Sequence, residues 1–312
     1  MSTKIVLLGT GGTIAGTAAD PGDNVGYIAG ELGVAHLLAA VPTLAGLPLV
    51  SEQVAQLDSK DMGFAVWQQL AARCAHHLAQ PDVVGIVITH GTDTLEETAW
   101  FLQSVLATTK PVVLTCAMRP ATSAAADGPQ NLTDAVTVAS APGARGVVVV
   151  CAGTIHSAAD VQKDHPYRVD AFSSGDAGPI GYVEEGRLRL MRNWPEVPVN
   201  WSKFAIDTGV PDPLWPRVDI VMNYAGVDGT VVDALRVRGV DGIVVACTGN
   251  GTLHHALEAA LLRAQAAGVV VVRATRCAHG RVLPQAQARL RDSVGRSPVK
   301  ARISLMLELM AR

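Results

Sequence analysis

Lys4-Ile5-Val6-Leu7-Leu8-Gly9-Thr10-Gly11-Gly12-Thr13 is the stretch from which the rest of the chain can be read. A strand-forming run passes without polar alternation into a glycine-loosened turn that carries two threonines. Further along, the run 83–88 leads in the same way into Thr89-His90-Gly91-Thr92-Asp93-Thr94. Continuous Val/Ile/Leu runs recur at 112–116, 147–151, 218–222, 243–247 and 269–272. Runs this apolar belong to strands buried on both faces, as in parallel sheets. Helical patterns lie between them, at about 31–40, 62–79, 94–107, 129–140, 230–238, 253–267 and 298–311. Alternating strand and helix predicts an α/β architecture with right-handed crossovers. In an open parallel sheet ligands bind at the carboxyl ends of the strands. Two hydroxyl-rich turns there can converge on one crevice and hold a nucleophile with its activator.

The alternation breaks between Asn193 and Arg217, where Pro195, Pro198, Pro211, Pro213 and Pro216 accompany Trp194, Trp201 and Trp215. Proline density stops regular structure. A linker over 193–216 is therefore expected, its tryptophans pinned to a domain surface. It separates a larger amino-terminal domain, 1–192, with a mostly parallel sheet, from a smaller parallel-sheet α/β domain, 217–312. The 312 residues are enough for two such domains.

A net charge of −3, with Lys and Arg scattered, gives no electrostatic reason for a nucleic-acid or anionic-membrane partner. A small molecule is the expected partner. No apolar run approaches the roughly 20 residues needed to cross a bilayer. The run 5–8 is too short for a secretory signal core, so a cytoplasmic location is expected. Cys74, Cys116, Cys151, Cys247 and Cys277 are odd in number and widely spaced. They read as small core residues and not as disulfides or metal ligands. His76-His77 and His254-His255 are adjacent pairs and lack the i, i+4 spacing of a metal site.

Five segments can carry chemistry. The glycines of the first turn suggest a phosphate loop, but Ile14-Ala15 follows Thr13 where a P-loop has Lys-Ser/Thr. Ile14 also breaks the dinucleotide fingerprint. A tight turn with capping threonines is the plain alternative to catalysis. Thr13 stands out because the glycines before it and a mobile loop after it leave its hydroxyl accessible. Residues 16–30, rich in Gly, Ala and Asp and carrying Tyr27, form a candidate lid. In the second turn, Thr94-x-x-Glu97 reads as a capping box, which leaves Thr89, Thr92 and Asp93 spare. A carboxylate at a helix start is also favoured by the helix dipole, which gives Asp93 a structural alternative. A carboxylate there can hold an ammonium or amide group. Asp160-Val161-Gln162-Lys163-Asp164-His165 reads as a loop at the same end of the sheet. A lysine drawn out of water there can act as a base for a threonine hydroxyl. In Asp58-Ser59-Lys60-Asp61, Ser59 reads as a helix N-cap. In Gly249-Asn250-Gly251-Thr252, capping by Asn250 and ligand binding stand as equal alternatives.

Taken together, these segments resemble the bacterial-type L-asparaginase (asparaginase/glutaminase) family along essentially the whole chain. The resemblance is carried in order by Thr10-Gly11-Gly12-Thr13-Ile14-Ala15, by Ile88-Thr89-His90-Gly91-Thr92-Asp93-Thr94-Leu95-Glu96-Glu97-Thr98 and by Ala117-Met118-Arg119-Pro120. It continues through Asp127-Gly128-Pro129-x-Asn131-Leu132, Asp160-Val161-x-Lys163 and Gly249-Asn250-Gly251.

The resemblance implies hydrolysis of L-asparagine to L-aspartate and ammonia without a cofactor, and leaves a glutaminase side activity open. It makes Thr13 the nucleophile, with Tyr27 close to it on the lid. Thr92, Asp93 and Lys163 become the group that activates a hydroxyl or water. It assigns Ser59 and Asp93 to the substrate's α-carboxylate and α-ammonium, and adds Gly12, Lys60, Gly91, Thr92 and Ala117 to the binding set. Asn250 is implied to reach a neighbouring subunit's site, because members are usually tetramers.

Two departures are visible. Lys60 stands where many relatives have Gln or a small polar residue. Relatives also carry a late-loop glutamate that pairs with the lid tyrosine, whereas Asp292 is the only acid in 273–300. The deamidase subunit of an archaeal tRNA-dependent amidotransferase is a weaker reading, since the chain starts directly on the first strand. A non-catalytic amino-acid sensor is another, disfavoured by the presence of Thr13, Thr92, Asp93 and Lys163 together. A dinucleotide-binding dehydrogenase is the most distant.

Overall fold

The computed structural model describes residues 3–196 and 215–312, and the chain divides into two units, Met1–Pro211 and Asp212–Arg312. The first unit runs β1 (Lys4–Gly11), α1 (Val34–Ala39), β2 (Leu49–Leu57), α2 (Phe64–Leu78), β3 (Val83–Thr89) and α3 (Leu95–Val105). It continues with β4 (Pro111–Thr115), α4 (Gly128–Ser140), β5 (Gly146–Cys151), β6 (Thr154–Ser157), β7 (Gln162–Lys163), β8 (Phe172–Ser173), β9 (Gly181–Glu184) and β10 (Arg187–Leu190). Eight of these strands form one sheet in the order β10-β9-β6-β5-β4-β3-β1-β2. Pairing is parallel from β5 through to β2 and antiparallel from β5 out to β10.

The wholly apolar runs are the central strands, for the expected reason. Ile5, Leu7, Val87, Val113, Val148 and Val150 share one cluster with Leu132, Ala135 and Val136 of α4. Successive side chains of a strand face opposite ways, and the alternate residues Val6, Leu8, Ile86, Ile88, Val112 and Leu114 are equally buried. Helices α2 and α3 pack against β2, β3 and β5. Between these helices Trp67 stacks on Phe101 at 4.8 Å, and its indole N–H donates to Thr98 Oγ1 at 2.8 Å.

Elements without such runs are absent from the sequence reading. Strand β2, at the sheet edge, has its apolar residues interrupted by Ser51, Glu52, Gln53 and Gln56, and β6, β9 and β10 are four residues each. The loop expected around Lys163 is replaced by β7, which pairs with β8 through Lys163 and Phe172.

The second unit runs β11 (Val218–Met222), α5 (Thr230–Val237), β12 (Gly242–Cys247), α6 (His255–Ala266), β13 (Val270–Thr275), β14 (Arg291–Asp292) and α7 (Pro298–Met310). Its four strands pair in parallel in chain order. Of the tryptophans expected in the linker, Trp194 is buried in the first unit's core; Trp201, Pro198, Pro211 and Pro213 lie outside the described residues. Four cysteines are buried free thiols and Cys277 is exposed.

On the outer strand β2, Glu52 accepts from Arg73 Nε at 2.5 Å and from Arg73 NH2 at 2.9 Å. His77 Nε2 lies 2.7 Å from the same carboxylate. The Arg73 guanidinium, ahead of His77, holds the Glu52 carboxyl down to about 2 from 4.5. A depressed carboxyl adds stability above its unfolded pKa, and that stability is lost as pH falls toward the folded value. A shift of this size corresponds to at most ~3 kcal/mol, and partial solvation reduces it to about 1 kcal/mol. Glu52→Gln should therefore lower the urea midpoint at pH 7, with the difference from wild type shrinking as pH falls from about 4.5 to about 2. A difference that stays constant over that range would refute the ionic account.

Candidate active site

Three turns meet at the carboxyl edge of β1, β2 and β3. Gly11 and Gly12 have φ of 100° and 82°, which L side chains rarely adopt. A methyl group on Gly12 would lie 2.3 Å from the Gly91 Cα, and one on Gly11 would lie 2.4 Å from the Leu57 carbonyl oxygen. The first and second turns are thus in backbone contact, and the end of β2 lies against both. The Gly12 amide donates to Leu57 O at 2.9 Å, and Thr10 Oγ1 donates to Thr89 O at 2.9 Å. Gly12 and Gly91 make this contact.

Thr13 is buried and opens a short 3-10 turn, its Oγ1 2.7 Å from the Tyr27 hydroxyl. Tyr27 belongs to the predicted lid, which a Thr17–Ile28 bridge closes at its base. Thr17 also bonds Glu31. Lys163 comes from β7. Its Nζ donates to Thr92 Oγ1 at 2.8 Å and to Asp93 Oδ1 at 2.6 Å, while its amide donates to Glu96 Oε1 at 3.3 Å. The lysine side chain is 16% exposed and the aspartate 53%, so the cation is the sheltered partner. Thr13, Tyr27, Ser59, Thr92, Asp93 and Lys163 all line one cavity of about 210 Å³.

Several sequence expectations need correction. Thr94 makes no side-chain cap; its hydroxyl donates to Ser59 O at 2.8 Å. Ser59 is not an N-cap either. Asp58 is, accepting from the Lys60 amide, while the buried Ser59 Oγ accepts the Asp93 amide at 3.1 Å. Lys60 is turned away, 60% exposed and paired with Asp61 and Asp58, and it does not line the cavity. Ala117 is buried in a cluster with Ile14, Ala15 and Leu37. In the second unit, Asn250 does not cap α6, whose N-cap is His254. Asn250 Oδ1 accepts the Leu283 amide at 2.7 Å. Asp292, the only acid of the late loop, is bound to Arg273 at 2.6 Å.

The cavity is also lined by Asn24, Val25, Asp58 and Met118, which lie in segments singled out from the sequence but were given no site role, and by Pro166 and Tyr167, which were not singled out. Asp58 adjoined a singled-out serine; the others lie in loops with no periodicity to mark them. The Asp127-x-x-x-Asn131 motif is explained by backbone bonds. Asp127 accepts the amides of Met118 and Arg119 at 3.0 and 2.9 Å. Asn131 Nδ2 donates to Cys116 O at 3.0 Å and its Oδ1 accepts the Ala152 amide at 2.9 Å.

This geometry sits on a chain whose residues 4–196 match the family model "Asparaginase, N-terminal" and whose residues 217–312 match "Glutaminase/Asparaginase C-terminal domain". The chain belongs to the asparaginase family. L-asparaginase 2 of Bacillus subtilis (strain 168) is 40% identical over 98% of this chain and 82% of its own length. A glutaminase-asparaginase of Pseudomonas fluorescens biotype A is 40% identical over 87% of this chain and 75% of its own. Among solved structures, a probable cytoplasmic L-asparaginase from Campylobacter jejuni matches with a TM-score of 0.91 at 37% identity, covering 99% of this chain and 95% of that one.

The glycine contact can be tested against a glycine with the same backbone but open surroundings. Gly12→Ala should cost about 2–4 kcal/mol, combining overpacking with the positive φ. Gly143, at φ 79° with nothing within 4 Å of an added methyl, should cost only about 1 kcal/mol as Gly143→Ala. Equal losses in thermal unfolding would show that conformation alone, and not the approach of the two turns, demands glycine at position 12.

Proposed function

We propose that this protein is an L-asparagine amidohydrolase, releasing L-aspartate and ammonia, with L-glutamine as a secondary substrate. One observation carries the reading. The Thr13–Tyr27 pair and the Thr92–Asp93–Lys163 cluster, from separate segments, line the same small polar cavity. The family membership and the names of the relatives support the same activity. None of them favours an amidotransferase subunit or a sensor.

In this mechanism the Thr13 hydroxyl attacks the side-chain amide carbonyl, and its proton is relayed through the Tyr27 hydroxyl, 2.7 Å away, to the amide nitrogen that leaves. Collapse of the tetrahedral adduct expels ammonia and leaves a threonyl ester, which splits amide hydrolysis into two easier steps. Lys163 Nζ donates to Thr92 Oγ1 and so fixes that hydroxyl as a partner for the water that releases L-aspartate. The developing oxyanion is met by backbone amides of the two glycine-rich turns, but not by that of Gly12, which already donates to Leu57.

Ser59 accepts the Asp93 amide and so keeps its own proton to donate to the substrate α-carboxylate. Asp93 receives the α-ammonium; Asp58, which also lines the cavity, is paired with Lys60. The functional unit is a homotetramer, a dimer of dimers in which Asn250 serves a neighbouring subunit's site. A cytoplasmic location agrees with the Campylobacter jejuni neighbour, itself a probable cytoplasmic L-asparaginase. No described helix is long and apolar enough to cross a membrane.

Ammonia release from L-asparagine tests the assignment. Thr13→Ala and Lys163→Met should each reduce kcat by about 10²–10⁴-fold with unchanged circular dichroism. Wild type silent on both L-asparagine and L-glutamine would sink the activity itself. An active Thr13→Ala would move the nucleophile elsewhere.

A further inference from the structure

The cavity has two walls made of irregular chain, and one segment is bonded to both. Asn24, Val25 and Tyr27 of the lid contribute the first wall; Pro166 and Tyr167 contribute the second. Between Met118 and Asp127 the chain runs as a loop whose start is tied to its end, through the two amides that Asp127 accepts. From this brace the Ala121 amide donates to Gly16 O at 2.9 Å, and Thr122 Oγ1 accepts the Ala18 amide at 2.8 Å. Ser123 Oγ donates to Asn24 Oδ1 at 2.7 Å. On its other side Arg119 NH1 donates to Tyr167 O at 2.9 Å, and the guanidinium carbon lies 4.1 Å from the centroid of the Tyr167 ring. The Tyr167 turn is itself closed by His165 Nδ1, which accepts the amides of Tyr167 and Arg168 at 3.1 and 3.0 Å.

Discrimination by one methylene reaches only about 10–200-fold in a well-formed pocket. It requires walls that do not yield, since a loop free to shift accommodates the extra carbon. Here neither wall can withdraw without breaking bonds to the brace that also holds the other. The geometry points to Arg119 and Tyr167 as specificity-determining residues that set the side-chain length the cavity accepts, favouring L-asparagine over L-glutamine. This inference rests on the amidohydrolase reading above. Arg119 is a positioning residue, acting through Tyr167. The contacts of Tyr167 with Arg119 use its ring and carbonyl and not its hydroxyl.

The test is kcat/KM for ammonia release from each amide in wild type, Tyr167→Ala, Tyr167→Phe and Arg119→Met. Where glutamine turnover is too slow to measure, its strength as a competitor of L-asparagine replaces it. Tyr167→Ala and Arg119→Met should lower the asparagine-to-glutamine ratio by about tenfold, mostly through KM, while Tyr167→Phe keeps the wild-type ratio. An unchanged ratio in Tyr167→Ala, or equal losses on both amides in both truncating variants, overturns the inference and leaves the activity standing. A wild type silent on both amides overturns the activity and this inference together. Tyr167 is about half exposed, 48%, so its truncation keeps the test independent of whether Arg119→Met folds.

Discussion

The site depends on a contact between two backbones that carry no side chains. Strands β1 and β3 are neighbours, in register from Ile5–Gly85 to Gly9–Thr89, so the turns that follow them leave the sheet at the same level and side by side. Any Cβ at Gly12 would occupy the space of the Gly91 backbone, and any Cβ at Gly91 would press on Ser59. Glycine at both positions lets the turns close until Thr13 and Thr92 face one small cavity. Thr10, whose hydroxyl reaches Thr89 O across the two strands, holds that closure. The nucleophile candidate and the lysine cluster are therefore brought together by sheet order, a property of the whole domain.

Hydroxyl bookkeeping separates the groups that build this arrangement from those left to react. Thr10 and Thr94 each donate to a backbone carbonyl, and Thr115 does the same to Val150 O and Asn131 O. Among the described residues, the Thr13 and Thr92 hydroxyls instead bond to side chains that can exchange protons, Tyr27 and Lys163. The Asp93–Lys163 pair is lopsided, with the cation sheltered and the carboxylate half exposed. A sheltered cation keeps its field because water screens it little. Its partner carboxylate remains open to a second ammonium, which is the chemistry an amino-acid substrate presents.

How much of this was legible in the sequence follows from where each signal is stored. Buried central strands write themselves as unbroken Val/Ile/Leu runs, because both faces are covered. Edge strand β2 and the antiparallel β6, β9 and β10 leave no such trace. Thr13, Thr92, Asp93 and Lys163 could be singled out because they stand in polar segments at strand ends and because those segments, taken in order, resemble one family. The same logic failed at Thr94 and Ser59, where capping was a sound local expectation and a long-range bond displaced it. Propensity is a weak prior that tertiary context overrides. Asn24, Val25, Met118, Pro166 and Tyr167 were given no site role for a further reason. They lie in irregular loops that carry no periodic signal, and the bonds that bring those loops to the cavity, such as Ser123 to Asn24 and Arg119 to Tyr167, span dozens of residues.

The missing late-loop glutamate shows the same principle from the other side. By resemblance, an acid from that loop ought to pair with the lid tyrosine, and Asp292 is the only acid there. Its carboxylate is committed to Arg273, which also donates to Gly251 O and so braces the turn that carries Asn250. Yet the lid does not lack anchorage. Gly16, Ala18, Pro21 and Asn24 are each bonded to residues 121–124, and Tyr27 to Thr13. Each such bond contributes about 0.5–1.5 kcal/mol, so the set outweighs a single partly exposed tyrosine–carboxylate contact. The position of the lid is thereby encoded within the first unit, by the same loop that holds Tyr167. Where Tyr27 stands is set by Thr13 and by the bonds of the lid to residues 121–124.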